Sequence, residues 1–174
     1  MLGRFYPGEY VDSTYGIDFK GLYEEGYRGI IFDIDNTLVP HDAPADERAK
    51  QLFKKLHEMG WKTCLISNNK EPRVKLFANT VDSLYIYKAN KPFVASYYHA
   101  MELMNTDKKT TLFVGDQIFT DIYGANQAGI PAILVKPIHP KEEIQIIVKR
   151  YFEKIVLIFY NKNKKILEKQ SNLL

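Results

Sequence analysis

Four apolar runs dominate the chain, and each ends in polar residues: "RGIIFDID", "WKTCLIS", "TTLFVGD" and "PAILVKP". Runs this short and this continuously apolar read as strands buried on both faces, as in parallel sheets. A shorter candidate, "SLYIY", lies between the second and third runs. Helical patterns fill the intervals. One helix is expected from Ala45 to Met59, stopped by Gly60, and others over "EPRVKLFAN", "FVASYYHAMELM" and "TDIYGANQAG", the last closed by Gly129. Strands alternating with helices predict an α/β fold, a parallel sheet flanked by helices in the Rossmann-like manner. No internal repeat or linker divides the chain, so a single domain is expected over 1–174.

In such sheets ligands sit at the carboxyl ends of the strands, so the polar residues that follow the strands matter most. Four clusters stand there: Asp33-x-Asp35-x-Thr37; Ser67, Asn68 and Asn69; Lys88 and Lys91 in "KANKP"; and Asp116 with Asp121 in "VGDQIFTD". If the first strand reached both Asp33 and Asp35, their side chains would share a face. Their carboxylates would then lie roughly 6–7 Å apart and repel by about 2–3 kcal/mol at an effective dielectric of ~20. They need a partner: a cation, a proton or a reaction. Several carboxylates, a lysine and small hydroxyl and amide groups together suit a hard divalent cation such as Mg²⁺ and a phosphoryl group.

Composition narrows the classes. With 24 Lys and Arg against 21 Asp and Glu, the net charge of +3 is too mild for a dedicated nucleic-acid binder, and no nucleic-acid partner is expected. Cys64 is the one cysteine and sits in an apolar run, which predicts a small buried hydrophobe in a reducing, cytoplasmic interior. The N-terminus does not read as a secretory signal. The longest apolar run near the other end, Ile155 to Tyr160, is far short of the about 20 residues a membrane span needs.

"DIDNTL", "SNN", "NKP" and "GDQIFTD", in that order, resemble the four motifs of the haloacid dehalogenase superfamily. Together with "YPGEYVDSTYGID" and "GYRGIIFDIDNTLVPHD" they look most like the YqeG group of its subfamily IIIA phosphatases. That group is similar to the phosphatidylglycerophosphate phosphatase of fungal and plant organelles, so a lipid phosphomonoester is the implied substrate. The resemblance implies that Asp33 is the nucleophile and becomes an aspartyl phosphate. It makes Asp35 the general acid and then base, with its main-chain carbonyl on the metal. Its presence points to phosphoryl transfer rather than carbon–halogen chemistry. Asp116 would ligate Mg²⁺ with Asp33, while Ser67, the Asn68 amide and Lys91 would hold the phosphoryl oxygens. Lys91, before Pro92, matches the pattern better than Lys88. Asp121 would orient the lysine or the metal's waters.

Blander readings stand beside these. Ser67 could cap a helix, and Asp121 could be a cap or first-turn acid. Asn36 and Thr37 are expected to shape the loop, His41 to be a loop histidine near the entrance, and His57 and His99 to be structural.

The spacing bears on what covers the site. Asp33 to Ser67 is 34 residues and Ser67 to Lys91 is 24, which leaves no room for an inserted cap domain. An open site gives little shelter for a small metabolite but admits a headgroup at a membrane surface, a protein side chain or a nucleic-acid end. A phosphatase for one of the latter two or for a small phosphometabolite is the alternative enzyme reading. A protein that binds or assembles on this fold without catalysis is the alternative of another class, and an intact Asp35 argues against it.

From Lys136 onward there are nine Lys and Arg against four Asp and Glu. An amphipathic helix and basic tail are expected over 142–174, with Ile144, Ile147, Val148, Tyr151, Ile155, Ile158 and Phe159 along one face. Ile146, Phe152, Val156, Leu157 and Tyr160 broaden that face, and Lys149, Arg150, Lys154, Lys162, Lys164 and Lys165 flank it. Packing of Ile144 to Tyr151 on the sheet is expected. Peripheral membrane contact and homodimerisation are both left open for the rest.

Overall fold

The computed structural model describes residues 2–138 and 144–171, with side chains of the last helix described over 151–165. A six-stranded, all-parallel sheet organises the chain. Its strands are β1 (Glu9–Val11), β2 (Gly29–Phe32), β3 (Lys62–Ile66), β4 (Leu84–Ile86), β5 (Thr111–Gly115) and β6 (Ala132–Val135), in the order β1-β6-β5-β2-β3-β4. The helices are α1 (Phe19–Glu24), α2 (Glu47–Glu58), α3 (Glu71–Val81), α4 (Ala95–Met104), α5 (Tyr123–Ala128) and α6 (Ile144–Ser171).

Alternation along the strands divides the interior in two. Ile30, Phe32, Leu65, Leu112, Val114, Ile133 and Val135 face α1, α2 and α3, where Phe19, Phe53, Leu56 and Phe77 fill the layer. Ile31, Cys64, Ile66, Phe113, Ala132 and Leu134 face the other way, onto Tyr97, Met101, Ile122, Ala125 and Val156 from the second helical layer. Because both faces are covered, the strands carry the continuous apolar runs seen in the sequence. Cys64 is fully buried, and burial pushes its thiol up to about 12.

Local chemistry sets the helix boundaries. Asp46 caps α2 by accepting from the Ala49 N–H at 2.8 Å, and the chain leaves α2 through Gly60 at φ +92°. α3 has a proline in its first turn, and α5 ends on Gly129 at φ +78°.

The structure adds or amends four things. β1 and α1 were not expected: β1 has three half-exposed residues at the sheet edge, too short for periodicity to reveal. The helix read over "TDIYGANQAG" is divided into a π-helical turn (Ile118–Ile122) and then α5. The described helix α6 starts at Ile144; Glu142 lies outside the described residues, as do the side chains of Ile144, Ile146, Ile147, Val148, Lys149 and Arg150. Of the stretch expected to pack on the sheet, Tyr151 is the one residue whose side chain is described, and it does not pack inward. Glu153, Val156 and Tyr160 are buried, whereas Tyr151 is 68% exposed and Ile158 66%.

Between Asp33 and Ser67 the chain forms α2 and β3, and between Ser67 and Lys91 it forms α3 and β4. Neither segment carries an inserted domain. Among the described residues no helix is long and apolar enough to cross a membrane.

Candidate active site

The sheet order reverses at β2. From there the chain builds outward through β3 to β4, then returns to lay β5 on the other side of β2. Loops leaving β2 and β5 diverge at such a point and open a crevice at the carboxyl edge. Phe32 pairs with Val114 and with Leu65, so Asp33, Ser67 and Asp116 all emerge within two residues of the last paired positions.

Asp33 leaves the sheet with its N–H still donating to the Val114 carbonyl at 3.0 Å. β2 ends at Phe32, however, and the chain then turns tightly. The Leu38 N–H donates to the Ile34 carbonyl at 2.9 Å, and Asn36 has φ +61°. Asp33 and Asp35 therefore do not share a strand face, and the repulsion expected from that geometry is replaced by separate partners for each.

Asp33 is 6% exposed and its Oδ1 accepts from Lys91 Nζ at 2.6 Å. Lys91 is clamped on the other side by Asp121 Oδ1 at 2.7 Å. Burial raises the Asp33 carboxyl to about 6, against the opposing charge of Lys91. Burial alone would lower the Lys91 ammonium, but Asp121 and Asp33 overcome this and hold it above its ordinary value. The lysine is thus a fixed cation, while exposed Lys88 lies outside this cluster.

The Asp35 carboxylate turns the other way and is held by three donors. These are Asn69 Nδ2 at 2.6 Å, Arg73 Nη2 at 3.0 Å and the Asp42 N–H at 2.9 Å. Asn69 was seen only as part of a cluster, and Arg73 was not singled out at all. Its position three residues into α3, facing back over the loop, carries no signal in the sequence.

Asp116 is 1% exposed, with a carboxylate oxygen within 4.8 Å of one of Asp33. The Thr37 hydroxyl sits between them, 3.3 Å from Asp33 Oδ2 and 3.2 Å from Asp116 Oδ1. It was expected to shape the loop, and in doing so it touches both acids. Asp121 is fully buried in the π-helical turn, and its Oδ2 accepts from the N–H groups of Asp116 and Gln117. It is a first-turn acid of that turn rather than its cap, as the blander reading allowed, and it also ties the β5 loop to Lys91. Gly115 permits this approach, because a Cβ there would lie 2.6 Å from Asp121 Oδ2.

Ser67 is not a helix cap either, since α3 begins at Glu71 after Lys70. Its Oγ accepts from the Asn69 N–H at 3.2 Å. Asn68 spends its side chain on the Lys91 backbone, accepting from Lys91 N–H at 2.8 Å and donating to its carbonyl at 3.4 Å. Lys91 precedes a cis peptide bond to Pro92.

A cleft of about 390 Å³ opens over these groups, lined by Asp33, Asp35, Ser67, Asn68, Lys91 and Thr120, with His41 and Asp42 among its other walls. His57 lies elsewhere, its ring nitrogen 3.1 Å from the Thr63 hydroxyl.

The donor set fits a hard cation. Carboxylate oxygens of Asp33, Asp116 and Asp121 lie within 4.8 Å of one another, but Asp121 is already engaged by Lys91 and two N–H groups. The carboxylate oxygens of Asp33 and Asp116, which share the Thr37 hydroxyl, are the ligand type Mg²⁺ prefers. Four carboxylates against Lys91 and Arg73 leave two negative charges, which a divalent cation would neutralise.

The sequence profile of the haloacid dehalogenase-like hydrolases matches residues 41–129, a stretch that begins after Asp33 and Asp35. A probable phosphatase, YqeG of Bacillus subtilis, is 37% identical over 159 residues, covering 90% of this chain and 92% of the relative. Phosphatidylglycerophosphate phosphatase 1 of Arabidopsis thaliana is 24% identical over 143 residues, and the match spans 39% of that longer protein. Among solved structures, a haloacid dehalogenase phosphatase from Thermococcus onnurineus superposes with a TM-score of 0.52 at 14% identity, over 67% of this chain and 90% of that one. The chain is an enzyme of the haloacid dehalogenase-like hydrolase family, similar to phosphatases within it.

Proposed function

We propose that this hydrolase is a Mg²⁺-dependent phosphomonoesterase that works through an aspartyl phosphate on Asp33 and acts on phosphatidylglycerophosphate. The observation that carries the chemistry is the convergence of buried Asp33 and Asp116 around the Thr37 hydroxyl, with Lys91 fixed 2.6 Å from Asp33. A Mg²⁺ ion would be held by Asp33, Asp116 and the Asp35 main-chain carbonyl, and when bound it offsets the repulsion between nucleophile and phosphate.

Asp33 attacks phosphorus while the bond to the ester oxygen breaks, and Asp35 gives that oxygen its proton. In the second half Asp35 takes a proton from water, which attacks phosphorus, releases phosphate and regenerates Asp33. The Ser67 hydroxyl, the Asn68 main-chain N–H and Lys91 meet the phosphoryl oxygens. Asn68 also sets Lys91 through its backbone, and Asp121 holds the ammonium in place. Arg73 and Asn69 hold the Asp35 side chain at the cleft wall in the resting site. For the first half-reaction Asp35 takes up a proton from solvent, which it gives to the leaving oxygen and regains from the attacking water.

The lipid assignment draws on the plant relative's name and on a cleft that no inserted domain covers. The test is phosphate release from phosphatidylglycerophosphate in mixed micelles, compared with sugar phosphates and nucleotides. Preference for the lipid is expected. Equal or better turnover of a soluble phosphate would discard the lipid assignment and leave a capless phosphatase for another phosphomonoester.

A further inference from the structure

Helix α6 has two unlike faces. Toward the protein, the Tyr160 ring meets Tyr6 edge-on at 5.7 Å, Val156 joins the interior, and Glu153 Oε1 accepts from the Ile118 N–H at 2.7 Å. On the far side Tyr151, Phe152, Ile155, Ile158 and Phe159 are all exposed. At 100° per residue these five fall on one arc, opposite Glu153 and Tyr160. The helix is therefore already packed, and a second apolar face is left over.

Charge identifies what covers that face. Over 151–165 the helix carries Lys154, Lys162, Lys164 and Lys165, all exposed, and its one acid, Glu153, is turned inward. In a two-fold contact between copies these lysines would be brought against one another. At 100° per residue Lys154, Lys162 and Lys165 fall on or beside the apolar arc, while Lys164 falls opposite it. A broad anionic surface takes those three at once, with aromatic and aliphatic side chains entering the headgroup boundary. We propose that this face of α6 docks the protein on anionic phospholipid membranes.

The tether to Ile118 gives the docking a place relative to the site. Ile118 opens the π-helical turn that carries Asp121, and Gln117 and Thr120 on either side of it line the cleft. A membrane on α6 is thus one element away from the catalytic edge. The inference stands on the helix and does not depend on the substrate assignment.

The test is cosedimentation of the full chain with vesicles of phosphatidylglycerol and phosphatidylcholine in equal parts, against phosphatidylcholine alone. Binding to the anionic vesicles only, weakened by added salt, is expected. Ile155→Ser with Ile158→Ser, and separately Lys154→Glu with Lys162→Glu and Lys165→Glu, should each lower it roughly tenfold or more. Circular dichroism melting should be near wild type for both. Absence of wild-type binding, or unchanged binding in the two variants, would overturn the proposal. So would an equilibrium sedimentation mass that falls from dimer to monomer in the isoleucine variant, since the face would then join two copies. None of these readouts involves lipid hydrolysis, so a failed substrate assignment cannot be mistaken for failed docking.

Discussion

At the scale of single residues, the site is a balance of buried charges. Lys91, Asp33 and Asp121 have side chains 4%, 8% and 0% exposed, and their contacts are 2.6 and 2.7 Å. Each ion gives up several kcal/mol of hydration, which only the others restore. Lys91→Met should therefore destabilise the metal-free protein by about 3–5 kcal/mol in urea denaturation. Adding Asp121→Asn should recover part of that loss, because one unpaired carboxylate is removed. A loss below about 1 kcal/mol would mean that the three groups are not held together in a desolvated cluster. Asp33, Asp35, Lys91, Asp116 and Asp121 were all legible in the sequence, because each follows a recognisable strand or motif. Arg73 was not, and Thr37 was legible as a member of the first cluster but not as the group between two acids. Their contacts depend on how α3 and the loop after β2 fold back over the edge, and spacing along the chain does not encode that.

At the scale of elements, the N-terminal segment has a role its sequence does not announce. The Thr14 hydroxyl donates to the Thr37 carbonyl at 2.8 Å, and the Tyr15 hydroxyl donates to the Leu38 carbonyl at 2.6 Å. A short turn, Thr14–Gly16, thus braces the loop that carries Asp35 and Thr37. Tyr15→Phe should cost about 1–2 kcal/mol in stability, and should lower kcat by more than it raises KM, because the loop loses its brace without losing a binding group. Equal stability and unchanged kcat would show that the brace is idle. The strands and major helices were readable because burial on both faces leaves a strong apolar signal. β1 has no such signal, being short and half exposed at the edge. α6 beyond Tyr151 stayed open for a related reason: apolar residues lie on both sides of it, and periodicity alone cannot say which side meets the protein.

At the scale of the whole molecule, topology does the assembling. Asp33 and Asp116 are far apart in sequence and become neighbours because β2 and β5 lie side by side where the strand order reverses. Ser67 joins from β3, and Lys91 from the loop after β4. The absence of an inserted domain on this edge was visible in the motif spacing. The proposed work of this edge is metal-dependent phosphoryl transfer through Asp33. The most direct measurement is phosphate release by the wild type and by Asp33→Asn, each with Mg²⁺ and with chelator. Wild-type turnover should require the metal, and Asp33→Asn should lose roughly 10³-fold or more in kcat while keeping its circular dichroism spectrum. A folded Asp33→Asn variant that still turns over at a comparable rate would contradict the account.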